Sequence, residues 1–93
     1  MYSSIPPNFY LSQNYPNPFN PVTNLEFGIS KLGFVSLRIY NMLGKEVATL
    51  VNEKQNAGSY NVRFDGSGLS SGMYYYKLES GSFTDTKKMI LIK

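Results

Sequence analysis

From Val22 onward the chain alternates. Leu25, Phe27 and Ile29 are interleaved with Asn24, Glu26 and Gly28, and Val35, Leu37 and Ile39 with Ser36, Arg38 and Tyr40. A period of two places the two sets on opposite sides of an extended chain, so both stretches read as strands with one buried face. Tyr60, Val62 and Phe64 repeat the pattern against Asn61, Arg63 and Asp65. Tyr74, Tyr76 and Leu78 repeat it against Tyr75, Lys77 and Glu79. Two further runs are less regular. Glu46 to Val51 is apolar on both faces, which a β-bulge would account for, and Met89-Ile90-Leu91-Ile92 is a continuous run whose faces periodicity does not assign. The expected core is Leu25, Phe27, Ile29, Val35, Leu37, Ile39, Val62, Phe64, Tyr76 and Leu78.

Six breaks carry turn chemistry: Lys31-Leu32-Gly33, Asn41-Met42-Leu43-Gly44, Asn56-Ala57-Gly58, Asp65-Gly66, Ser71-Gly72 and Ser80-Gly81. Each supplies a glycine for backbone conformations closed to other residues. Seven strands at this spacing, with aromatic and β-branched enrichment and no helical period, predict an all-β, antiparallel, immunoglobulin-like Greek-key sandwich. No internal repeat is present.

The front of the chain differs. All five prolines, at positions 6, 7, 16, 18 and 21, precede Val22. Each fixes its own φ and excludes the residue before it from helix, so no helix crosses this segment. Phe9, Leu11, Tyr15 and Phe19 are apolar anchors that a free linker would not need, which predicts a short strand and a rigid loop clamped on the domain. Residues 1–8 read as linker or a cloning remnant and 9–93 as the domain.

Composition narrows the chemistry. The chain has 93 residues, 42% hydrophobic and 16% charged, with eight Tyr, six Phe, no Cys and no His. One small core is all such a length supports, and the apolar content is too high for disorder. Without Cys or His there is no thiol or imidazole catalysis and no zinc site of the usual kind, so neither a catalytic residue, a metal nor a cofactor is expected. A net charge of +3, scattered except near the C-terminus, gives no support for nucleic-acid binding. No apolar run is long enough to insert in a membrane.

The remaining constellations have ordinary explanations. The six acids fall on polar strand faces or in turns, whereas a glycosidase needs two across a cleft. Gly66 to Gly72 lacks the lysine of a phosphate loop. Tyr75 between Tyr74 and Tyr76 would offer a stacking ring to a sugar, and an immunoglobulin-like carbohydrate-binding or adhesive accessory module is the alternative this leaves. Lys87, Lys88 and Lys93 bracket the last apolar run and read, on physics alone, as protection of a sheet edge.

Five ordered stretches resemble one family, the type A C-terminal sorting domain of the type IX (Por) secretion system of Bacteroidetes. They are Tyr10-Leu11-Ser12-Gln13-Asn14-Tyr15-Pro16-Asn17-Pro18-Phe19-Asn20-Pro21, Val35 through Val47, Ala57-Gly58-Ser59-Tyr60, Leu69 through Tyr76, and Lys87 through Lys93. Phe64 stands where Trp is common in the family. The resemblance implies a module attached to an N-terminal cargo domain in a larger exported protein, passing through the periplasm to the cell surface or medium. Its implied partners are the type IX translocon and a sortase-like peptidase. Of the matching positions, Asn14, Tyr15, Pro16, Asn17, Pro18, Phe19, Gly44 and Gly58 are expected to be structural. Gly72, Tyr74, Lys87, Lys88 and Lys93 are expected to serve translocon recognition, the translocon reading a folded sheet surface plus the terminal basic strand by strand-edge pairing and charge contacts.

Overall fold

A computed structural model describes residues 5–93; the first half of the expected 1–8 linker, residues 1–4, lies outside the described residues. The chain forms β1 (Tyr10–Leu11), β2 (Val22–Ile29), β3 (Gly33–Tyr40), β4 (Glu46–Gln55), β5 (Gly58–Asp65), β6 (Gly72–Ser80) and β7 (Phe83–Leu91). They build two antiparallel sheets, ordered β1-β2-β5 and β4-β3-β6-β7, as an immunoglobulin-like sandwich requires. No helix occurs among the described residues. Two of the six expected breaks bound a single loop between β5 and β6, and the seventh strand is the N-terminal Tyr10–Leu11.

The alternating residues meet between the sheets. Leu25, Phe27 and Ile29 from one sheet face Val35, Leu37, Ile39, Tyr76 and Leu78 from the other, all without solvent exposure. Val62 departs from the expected core and is only half-buried, because β5 is an edge strand whose neighbour on one side is solvent. The faces of the last run are set by pairing. Tyr74 opposes Met89 and Met73 opposes Ile90, so Met89 and Leu91 turn inward while Ile90 and Ile92 turn out. In β4 the register shifts twice against β3, between Leu37 and Arg38 and between Ile39 and Tyr40. Bulges there explain why Glu46 to Val51 shows no clean alternation.

One glycine is dictated by a close approach. The ring of Tyr10 lies over Gly28, its register partner, where a Cβ would collide with the ring. The phenol then donates to Glu26 Oε2 at 2.8 Å and accepts from the Ser59 hydroxyl at 3.1 Å, tying β1 across the sheet.

Candidate functional site

Residues 12–21 form a strap across the open side of the sandwich. Ser12 N–H donates to Glu26 C=O at 2.9 Å, and Tyr15 and Asn24 exchange backbone bonds at 3.0 and 2.9 Å, which fixes the strap to β2. Farther on, Phe19 N–H donates to Ile90 C=O and Phe19 C=O accepts from Ile92 N–H, both at 2.9 Å, which fixes the strap to β7. Phe19 is buried and packs edge-on against Phe64, with ring centroids 6.1 Å apart.

A polar knot holds the middle of the strap. Asn14, only 2% exposed, donates its side-chain amide to Pro16 C=O at 3.1 Å and to Thr23 Oγ1 at 3.0 Å. Thr23 Oγ1 also donates to Pro16 C=O at 2.8 Å. The Asn14 backbone N–H donates to the Tyr76 hydroxyl at 2.7 Å, and that hydroxyl donates onward to Ser12 C=O at 2.7 Å. Burial is the main cause that pushes the Tyr76 phenol up to about 12, with the Asp85 charge adding to it and the Asn14 bond opposing. Tyr15, expected as an apolar anchor, is 80% exposed. Adjacent residues of an extended chain point opposite ways, and the hydrogen-bonded side chain of Asn14 takes the inward position. Phe9, half-buried, stacks on Phe83 at 5.5 Å, so the other three expected anchors do pack.

The strap changes what β7 offers. Lys88 C=O accepts from Gln13 Nε2 at 2.7 Å, and Ile90 N–H donates to Asn17 Oδ1 at 3.0 Å. With the two bonds to Phe19, the backbone edge from Lys88 to Ile92 is occupied by the chain's own residues. Strand-edge pairing along this stretch, expected from the sequence, would compete with the four strap bonds that run from Lys88 C=O to Ile92 N–H. A strand addition would first have to displace Phe19 from the core.

The residues expected to serve recognition divide by position. Gly72 opens β6 opposite Leu91. Tyr74 is buried, and its hydroxyl donates to Ser70 C=O at 2.7 Å. Lys93 Nζ donates to Ser67 C=O at 2.7 Å and Leu69 C=O at 2.8 Å, while its backbone N–H donates to Ser71 Oγ at 2.9 Å. Together these two side chains hold the β5–β6 loop. Lys87 is half-buried, 3.9 Å from Asp85 Oδ2. Lys88 is exposed on the outer face of the sheet, across from Tyr75.

The turn expected at Asn41-Met42-Leu43-Gly44 follows β3, and sequence reasoning did not single out the two residues it displays. Asn41 Oδ1 accepts from Leu43 N–H at 2.9 Å and Lys45 N–H at 3.0 Å, and Gly44, at φ 83°, accommodates the left-handed step. This fixed turn holds Met42 and Leu43 in solvent, 66% and 93% exposed. They border a depression of about 220 Å³ with Asn41, Ser71, Gly72, Met73 and Tyr74. Two apolar residues inside an Asn-to-Gly turn were the available signal. Gly58, the remaining expected structural glycine, begins β5 opposite Ile29.

A family model described as the secretion system C-terminal sorting domain matches residues 13–93. The chain belongs to that family. The match begins at the strap and ends with Lys93, so strap, turn, β5–β6 loop and last strand all lie inside the sorting domain. The sorting domain is a type IX export signal carried by a cargo protein, recognised by the type IX machinery and destined for the cell surface or the exterior. The family is a signal rather than a catalytic domain. No curated protein and no solved structure matches the chain.

Proposed function

We infer that this sorting domain acts as a folded address. The cargo crosses the inner membrane unfolded, the domain folds in the periplasm, and the outer-membrane translocon reads the assembled sheet surface. A sortase-like peptidase then cleaves upstream of β1, and the domain itself performs no chemistry. The observation that carries this reading is the closed seam: with Lys88 to Ile92 already paired to the strap, recognition falls to side chains held by the fold. Lys88 contacts the reader directly and Gly72 lies in the surface it reads. Lys87 contributes charge beside it. Tyr74 and Lys93 act as positioning residues by fixing the 67–71 loop.

The test fuses the chain to the C-terminus of a reporter bearing a Sec signal peptide in a host with a type IX system. The parent chain should deliver the reporter to the surface or medium. Changing Lys87, Lys88 and Lys93 to Gln should leave it in the periplasm while the sheet spectrum persists. A triple variant that folds and is exported at the parent rate removes the lysines from recognition. Glycan binding through Tyr75 with no export of the parent fusion marks the chain instead as an adhesive module.

A further inference from the structure

The outer face of the four-stranded sheet is not uniform. At the Gly72 end, Met73 lies opposite Ile90, and Tyr75 lies opposite both Tyr40 and Lys88. Ile90 and Ile92 are 40% and 53% exposed, and Met42 and Leu43 extend the same apolar area beyond the end of β3. Four of the exposed large apolar side chains of the molecule thus gather at one end of one face. Contiguous exposed apolar surface on a small soluble domain marks an interaction site more often than single scattered residues do.

Two observations identify the kind of partner. The turn bearing Met42 and Leu43 is fixed by the Asn41 bonds before any partner arrives, so little ordering entropy is lost on docking. Charge is the second. Arg38 and Lys77, farther along the face, have Glu46 at 3.6 Å and Glu79 at 3.7 Å. Lys88, at the border of the apolar area, has no ion-pair partner among the described residues. A partner complementary to this face is apolar at its centre and carries a carboxylate at its margin. We propose that Met42, Leu43, Met73, Tyr75 and Ile90, with Lys88 at the rim, form the docking face for a protein of the secretion machinery that presents an apolar patch flanked by a carboxylate. This rests on the sorting reading for the partner's identity and on the surface itself for its chemistry.

The experiment uses the same export fusion with Met42→Ser/Leu43→Ser, and as its control Leu32→Ser/Phe34→Ser, an equally apolar exposed pair at the opposite end of β3. The first pair should lower export roughly tenfold or more, as loss of central apolar contacts does in other interfaces. The control should be exported like the parent, and both variant chains should unfold at the parent's urea midpoint. Lys88→Glu should impair export more than Lys88→Gln. Export of Met42→Ser/Leu43→Ser at the parent rate overturns the proposal, as does an equal loss in the control. Equal export of the two Lys88 variants removes the carboxylate from it. A parent chain that sediments as a dimer and is dispersed by Leu43→Ser makes a second copy the occupant, against the proposal. A parent fusion retained in the periplasm sinks the sorting reading and this docking face with it.

Discussion

Replacing Tyr76 by Phe isolates the polar knot from the core around it. The ring is fully buried and stays so, leaving the apolar packing unchanged. Only the hydroxyl is lost, and with it the acceptor of Asn14 N–H and the donor to Ser12 C=O, each at 2.7 Å. The Asn14 amide sits on a residue closed to water, so its unmet bond costs about 1–3 kcal/mol. Ser12 is only half-buried, so its carbonyl recovers part of its loss from water. The sum is about 2–3 kcal/mol, which at roughly 4–8 °C per kcal/mol for a domain this size is a drop of some 10–20 °C in Tm. Urea unfolding followed by tyrosine fluorescence measures the loss, and amide hydrogen exchange locates it. Asn14 N–H should be protected in the parent and exchange quickly in the variant, while β3 amides keep their protection. A loss below about 0.5 kcal/mol, the level of an ordinary surface change, refutes the reasoning, as does an Asn14 amide equally protected in both chains.

The strap's two aromatic residues should behave oppositely: Phe19→Ala should cost about 3–5 kcal/mol as a buried truncation, and Tyr15→Ala should stay within about 0.5 kcal/mol, both by urea titration. Gly28→Ala should cost about 1–3 kcal/mol by forcing the Tyr10 ring off the sheet, and the paired change with Tyr10→Ala should recover part of that loss. At high pH the sign follows from the raised Tyr76 pKa. Stability is intact below the unfolded value near 10 and falls as pH rises toward about 12, because the unfolded phenol ionises first. Tyr76→Phe should flatten that segment of the pH profile, and an unchanged slope counts against the assignment.

The strands were legible wherever one face met the core and the other met water. Leu25 to Ile29 and Val35 to Ile39 needed only their alternation. Met89 to Ile92 did not yield, because inward Met89 and Leu91 and outward Ile90 and Ile92 are equally apolar. Only pairing with Tyr74 and Met73 separates them. Hydrophobicity also misread the strap at one point, choosing Tyr15 over Asn14, since an asparagine enters a core on hydrogen bonds that its neighbours in sequence do not reveal. Thr23 and the Tyr76 hydroxyl were invisible for the same reason. The lysine pattern was visible, but Lys93's attachment to the 67–71 loop depends on carbonyls 24 and 26 residues away. The motif resemblance supplied the family, and the geometry supplied what each motif holds.

The strap also sets an order of events. Its bonds to β7 join residues 73 and 75 positions apart, among the longest separations the chain has. Contacts this distant form late, since the loop they close must be ordered first. The side of the sandwich that the strap covers is therefore expected to close late, and its outermost bond needs Ile92. A molecule cut short by a few residues keeps most of its core but leaves the strap's partner groups exposed. The Asn17 amide oxygen and the Phe19 backbone would then stand unpaired on the surface, where any factor that inspects the folded domain would meet them.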